Sequence, residues 1–236
     1  MKVTLLEHTP EPEKIVAAAA KLCYSGKADI DSLLEDLTET KVQSFVEKLE
    51  ELGHQSPFEH VTFTYGIEGV SRALLAQITR HRIGASFSVR SQRYCSEDSF
   101  GYVMPPSIAA HGKHSVRYKA LMADIQNFYN KLVKLGVPKE DARMVLSNAC
   151  ETRMLLTMNL RELWHFFELR CCARAQWEIR ALAKEMLRLG KEAAPVLFRH
   201  AGAACEKGFC PEGLMSCGRK PTLDELFMAY EGRKVH

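Results

Sequence analysis

The sequence predicts an α+β fold: one domain, with a β-sheet flanked by helices and the helices predominating. Three observations predict it. Apolar and polar residues alternate over short stretches such as VTFTYGI (Val61 to Ile67), the period of a half-buried strand. Over longer stretches, most extensively from about His114 to Leu135, apolar residues recur at helical spacing. The composition, 236 residues with 46% hydrophobic and 26% charged, is that of an ordinary globular chain. At this length roughly 70% of the unfolded surface is buried on folding, so no staple is required. No internal repeat, low-complexity tract or linker divides the chain. Residues 1–236 therefore read as one domain, with 202–236 as a cysteine-containing tail packed on it or extending from it.

Taken in order, KVTLLEH at the amino end reads as a strand, and Pro12 opens a helix through Ala18 and Leu22. A second helix from about Thr40 to Leu52 stops at Gly53, a carboxyl-end signal. After the strand at Val61 to Ile67, SRALLAQITRHR returns to helical spacing with Ser71 as its cap. The arginines from Arg80 onward begin near that helix end and continue into a glycine-containing loop, where a ligand is within reach. Pro105 and Pro106 break the chain before the long helix, whose apolar positions are Leu121, Ile125, Phe128, Leu132 and Leu135. Gly136 and Pro138 separate it from a helix carrying Arg143 among Met144, Val145 and Leu146. An arginine in such company is expensive to bury unless it meets an anion. RMLLTMN (Arg153 to Asn159) is apolar enough for a strand, and helices from Arg161 onward complete the chain.

Charge and cysteine usage narrow the function classes. A net charge of +3 is too small to imply a polyanionic partner; the clustering of charge carries the information. No run approaches the ~18 apolar residues of a membrane span, and the amino terminus lacks an apolar signal core, so a cytoplasmic location with no membrane partner is expected. Eight irregularly spaced cysteines are not the framework of a small secreted domain, and reduced thiols are the default. His200, Cys205, Cys210 and Cys217 supply four zinc-compatible ligands but no tight Cys-x2-Cys knuckle. Thiols without metal around a glycine-rich turn (Gly208, Gly213, Gly218) are the expectation.

Chemistry concentrates in RHRIGASFSVRSQRY, Arg80 to Tyr94, which holds four arginines, His81 and three serines within fifteen residues. Guanidinium forks match phosphate and carboxylate oxygens, and serine hydroxyls fill the remaining acceptor sites, so a phosphorylated ligand is the first expectation. The competing readings are a solvated basic loop and an RNA-binding surface using Phe87 and Tyr94 as stacking platforms. No GxGxxG fingerprint, P-loop or GxSxG is present, so Ser91 reads as a phosphate or substrate contact and not as a nucleophile.

RHR followed by SxRY resembles the signature of the flavin-dependent thymidylate synthases. GHQSPFEH (Gly53 to His60), VPKEDARMVL (Val137 to Leu146) and NLRELWHFFELRCCARAQWEI (Asn159 to Ile179) are similar to further segments of that family. Two departures stand out. Eight residues separate Arg82 from Ser91, where the family usually has seven, and Val89 and Arg90 precede that serine where many members carry an acidic residue.

The resemblance implies a homotetramer that methylates dUMP at C5 with the one-carbon unit of 5,10-methylenetetrahydrofolate, using FAD to carry reducing equivalents from NADPH. It implies that His54, Ser56, Arg80, His81, Arg82, Asn159, Arg161 and His165 hold FAD. Gln77, Arg80, Ser91, Arg93, Arg143 and Arg170 take dUMP, with Arg170 favouring the N3-ionised pyrimidine as the catalytic residue. Read without the resemblance, His165 among Trp164, Phe166 and Phe167 suits a core histidine, and His54 and Ser56 suit a turn and cap at a helix end. Arg161 and His165, four apart, share a helix face, with Arg170 about one turn beyond.

Overall fold

The structure, a computed structural model, describes residues 1–26 and 29–222. Residues 223–236, the end of the expected tail, lie outside the described residues.

Alternating stretches make the sheet. Strands β1 (Lys2–His8), β2 (Thr62–Ser71), β3 (Ala85–Val89) and β4 (Glu151–Asn159) lie in the order β1-β2-β4-β3. Asn159 N donates to Gly84 O at 2.8 Å and Arg90 N to Arg153 O at 3.0 Å, so β3 and β4 run antiparallel. Leu160 N to Val61 O (2.8 Å) and Arg72 N to Cys150 O (3.0 Å) show that β2 and β4 also run antiparallel. On β4 the alternation is complete: Thr152, Met154, Leu156 and Met158 are buried, while Glu151, Arg153 and Leu155 are exposed.

The helices are α1 (Pro12–Leu22), α2 (Ile30–Glu35), α3 (Glu39–Glu51), α4 (Arg72–Ile78), α5 (Pro106–Ala109), α6 (Gly112–Lys134), α7 (Lys139–Ala142), α8 (Leu160–Arg170) and α9 (Trp177–Ala193). Short 3-10 turns occupy Ser56–His60, Arg143–Val145, Ala204–Lys207 and Gly213–Met215. An α+β fold with helices predominating is what the periodicities predicted. Pro12 does start α1, and Gly53 at φ 70° follows α3 in a conformation that suits a residue without Cβ. The Ser71 hydroxyl caps α4 by accepting from Leu74 N at 3.0 Å.

Three local expectations need correction. The segment after Arg82 is not all loop: Ala85–Val89 alternates and pairs with β4 as strand β3. The helix expected around Arg143 is instead two short turns, with Arg143 half-buried and Met144 80% exposed, so no buried arginine needs an anion there. On α6 the buried residues are Met122 and Tyr129, whereas Leu121, Phe128 and Leu135 are each more than half exposed.

Packing groups the chain into two compact units interleaved in sequence. The first comprises Met1–Thr4, Gly66–Arg80 and Ser86–Leu156. Its core contains Ile67, Val70, Leu74, Ile78, Tyr129 and Leu156, and the Tyr129 hydroxyl accepts from Glu97 N at 3.2 Å. The second comprises Leu5–Tyr65, His81–Ala85 and the chain from Thr157 on. Its core is aromatic: Phe58, Phe63, Phe166, Phe167 and Phe198 are fully buried, and Phe63 meets Phe198 edge-on at 5.0 Å between ring centres. Tyr65 satisfies its buried hydroxyl on Met186 O at 3.3 Å. Among the described residues no helix is long and apolar enough to cross a membrane.

Candidate active site

In the second unit, α8 begins where β4 ends, and Asn159 makes the junction. Its side-chain oxygen accepts from Glu162 N at 2.9 Å, capping the helix. Gly84, at φ 71°, lies so close that a Cβ there would collide with the Asn159 side chain. One short loop and one helix cap are thereby locked together, which places His81 beside the first turns of α8.

His81 is 5% exposed and bonded at both ring nitrogens. Its Nδ1 lies 2.7 Å from Glu162 Oε1, and Arg170 Nε donates to its Nε2 at 3.1 Å. A nitrogen that accepts from a guanidinium carries no proton, so Nδ1 carries the ring hydrogen and donates it to Glu162. Carboxylate, neutral imidazole and guanidinium thus form an ordered chain. Burial, foremost, and then the Arg170 guanidinium hold His81 below the ordinary histidine pKa, while the Glu162 carboxylate opposes them. The rings of His165 and Phe166 close two sides, at 5.9 and 5.1 Å between centres.

Beside this chain is a cavity of about 440 Å³ lined by Gln55, Glu59, Ile83, Asn159, Arg161, Glu162, Trp164, His165, Glu168 and Lys207. Three sequence-predicted residues, Asn159, Arg161 and His165, are therefore brought together. His165 is exposed to it and is not a core histidine. Arg161 is held in the wall by Gln55 Oε1 at 3.1 Å and by an ion pair with Glu59. A neighbouring cavity of about 490 Å³ is bounded by α3, Phe58, Trp164 and the chain near His200; there burial raises the Glu50 carboxyl to about 7. His54 and Ser56 are exposed, flank Gln55 and line neither cavity. Arg82 is exposed, and among the described residues its side chain makes no hydrogen bond or ion pair.

In the first unit a second set converges on Glu140. Arg93 Nε meets its carboxylate at 2.5 Å, Arg143 Nε meets its backbone carbonyl at 3.1 Å, and Ser91 Oγ accepts from Arg93 N at 3.1 Å. Arg93 and Arg143 thus both meet Glu140, and Ser91 is bonded to the Arg93 backbone. Arg93 also stacks over Tyr94 at 5.4 Å. Gln77 turns its amide back to Ala73 O at 3.3 Å, away from any such cluster, and Arg80 projects from the end of α4, exposed.

Arg90 does not belong with the ligand arginines. It pairs with buried Glu97 and donates to Ser96 O at 2.9 Å, while its own carbonyl accepts from Arg72 at 3.0 Å. The basic stripe seen in the sequence is therefore partly spent on internal carboxylates. Sequence reasoning missed Glu162, Gln55, Glu59 and Glu140. For Glu162 a signal existed: Asn159 and Glu162 have the spacing of a capping box, which marks the glutamate as placed by the helix end.

The chain from residue 4 to 196 matches the family model described as thymidylate synthase complementing protein. A flavin-dependent thymidylate synthase of Geobacter sulfurreducens is 53% identical over 229 residues, covering 96% of this chain and 98% of the relative. One from Clostridium tetani is 46% identical over 244 residues, 97% of each chain, and one from Pyrococcus furiosus is 39% identical over 221 residues, 90% of each. Matches of this extent across a bacterial and archaeal range show that the chain belongs to the thymidylate synthase complementing protein family.

Proposed function

We propose that this protein is a flavin-dependent thymidylate synthase, converting dUMP to dTMP with 5,10-methylenetetrahydrofolate as one-carbon donor, FAD as cofactor and NADPH as reductant. The observation that carries the reading is the Glu162–His81–Arg170 chain, which presents one oriented, permanently charged guanidinium at the end of α8.

The residues fit a flavin nucleotide in their chemistry. Asn159, Arg161 and His165 offer amide, guanidinium and imidazole groups around one cavity, and Arg80 and Arg82, unpaired among the described residues, are available for phosphate. Bound there, FAD supplies the hydride that reduces the transferred one-carbon unit to a methyl group.

The protein's own part is binding and polarisation. Arg170 donates to the uracil edge, and its positive charge favours the N3 anion, whose electron density reaches C5. Neutral His81 accepts the Arg170 Nε–H and orients the guanidinium. Ser91, Arg93 and Arg143 take the dUMP phosphate, which displaces the exposed Glu140 carboxylate from Arg93; Gln77 and Arg80 complete the nucleotide contacts. His54 and Ser56 reach the flavin from the turn before β2.

The enzyme works in the cytoplasm as a homotetramer, which the exposed apolar residues of α6 support. The test is direct. The purified protein is expected to be yellow or to bind added FAD, and dUMP is expected to stimulate its NADPH oxidation and yield dTMP. No binding of FAD at micromolar concentration would overturn the assignment.

A further inference from the structure

Arg90 stands one residue before Ser91, and its bonds shape the turn that carries two of the proposed phosphate ligands. Its backbone is fixed at the end of the sheet: N donates to Arg153 O at 3.0 Å, and the carbonyl accepts from Arg72 Nη2 at 3.0 Å. From there the chain turns, and Cys95 N donates to Ser91 O at 3.0 Å, so residues 91–95 close on themselves. Gln92 is buried inside this turn, while Ser91 and Arg93 on either side of it reach the surface. Ser91 Oγ accepts from Arg93 N at 3.1 Å. A turn this short keeps one shape only if both of its ends are held.

The Arg90 side chain holds the far end. Its guanidinium pairs with Glu97, whose side chain is 5% exposed, and donates through Nη2 to Ser96 O at 2.9 Å. One planar fork therefore joins the residue before Ser91 to two consecutive residues beyond the turn. Glu97 is itself anchored: its N donates to the Tyr129 hydroxyl at 3.2 Å, and its carbonyl accepts from Gln126 Nε2 at 2.7 Å. Gln126 Oε1 accepts in turn from Phe100 N at 2.7 Å. Gln126 and Tyr129 both belong to α6, so the end of β3, the turn and the long helix are fastened together within the first unit.

We propose that Arg90 and Glu97 are a positioning pair for the nucleotide phosphate: they hold the turn in the shape that presents the Ser91 hydroxyl and the Arg93 guanidinium to the phosphate of dUMP. This inference rests on the functional reading above, and it gives the pair no contact with substrate. Desolvating two charges offsets most of their attraction, so a buried ion pair adds little stability over an apolar pair of similar volume. What it adds here is direction, because the guanidinium plane fixes Ser96 O and the Glu97 carboxylate at once. Arg90 also neutralises Glu97. Without it, a lone buried carboxylate would lie beneath a turn that takes a dianion.

The test measures KM and kcat for dUMP, the inhibition constant of deoxyuridine, which lacks the phosphate, and flavin content in full-length variants. Arg90→Met leaves Glu97 buried and unpaired, and a loss of stability is expected together with a rise of more than roughly tenfold in KM for dUMP. Arg90→Met with Glu97→Met removes both charges. That double variant is expected to regain the parent's stability yet keep KM for dUMP raised by roughly tenfold, with kcat at saturating dUMP near the parent's. Arg90→Lys keeps the charge without the fork, and a rise of about threefold in KM is expected. Deoxyuridine inhibition and flavin content are expected to stay at parental values in all three, because the pair acts through the phosphate. A pair that only stabilises the fold would give the folded double variant parental KM, and that result would overturn the inference. So would a weakening of deoxyuridine equal to that of dUMP. If neither methionine variant folds, Arg90→Lys decides alone, and unchanged KM for dUMP in it would overturn the proposal. Parent protein that binds no dUMP would defeat the functional reading; parent and folded double variant that bind dUMP equally well would defeat this inference alone.

Discussion

Arg170 donates its Nε–H to a buried imidazole whose other ring nitrogen meets Glu162. If Arg170 has the proposed role, replacing it with Ala removes the charge on the uracil edge, and transition-state stabilisation read from kcat/KM for dUMP is expected to fall by about 2 kcal/mol or more. Unchanged kinetics in a folded, flavin-loaded variant would move that role elsewhere. Glu162 acts through His81. In Glu162→Leu the ring loses the acceptor that fixes it, and turnover is expected to drop roughly tenfold, about 1.4 kcal/mol, with flavin content unchanged. Glu162→Gln keeps an acceptor oxygen but removes the negative charge, so turnover is expected to survive near neutrality.

The pH profile separates these two effects. His81 has a folded pKa below the unfolded value of about 6.5, so its contribution is present above that value and is lost as pH falls through the folded pKa. Turnover should therefore decline in acid, and the acid limb should move to still lower pH in Glu162→Gln. Glu50 has the opposite sign. Its carboxyl is raised to about 7 by burial, so its stabilising proton is fully held below the usual carboxylate range and is lost as pH rises through 7. Glu50→Gln is expected to be more stable than the parent at pH 8, on the order of 1 kcal/mol after discounting for solvent screening of this half-buried group, and about equal at pH 5. Denaturant midpoints at the two pH values read the difference.

At the scale of elements, the junction of β4 and α8 carries the most consequence. Asn159 caps the helix that holds Glu162, His165 and Arg170, and it is also the side chain against which Gly84 packs. Asn159→Ala removes the cap, and thermal denaturation is expected to show a loss of about 1 kcal/mol. Asn159→Asp should retain most of it, because aspartate caps as well and its charge suits the helix amino end. Ranking the two variants alike would mean that the cap bond contributes nothing. The caps at Ser71 and Asn159 were legible from residue type and position. Strand β3 was not read, although Ala85, Phe87 and Val89 alternate with Ser86 and Ser88, because its five residues are few and directly follow an arginine- and glycine-containing turn; pairing with β4 decides their conformation.

For the whole molecule, α6 is the informative element. Leu121, Phe128 and Leu135 recur every seven residues and stay exposed at 51%, 51% and 71%, while Met122 and Tyr129 bury themselves. Such a stripe is expected to be covered by other copies of the chain. If the proposed homotetramer uses this stripe, replacing Leu121 and Phe128 together with Lys should give smaller species in native mass spectrometry while the far-ultraviolet circular dichroism is retained. A tetramer that survives both changes would place the subunit contacts on other surfaces.

By itself the sequence determined the class of fold, most element positions and the family, because periodicity, caps and motifs are local properties that one stretch of chain carries entire. It also singled out His81, Arg161, His165 and Arg170, which the structure places in one unit. Only the tertiary structure decided what each of them is free to do. Arg90 is spent on Glu97, Arg93 faces Glu140, and His81 is buried behind Arg170, with Glu162 as its partner 81 residues away. The physical reason is that a charge is defined by what surrounds it. Desolvation and ion pairing depend on distances through space, and spacing along the chain does not contain them.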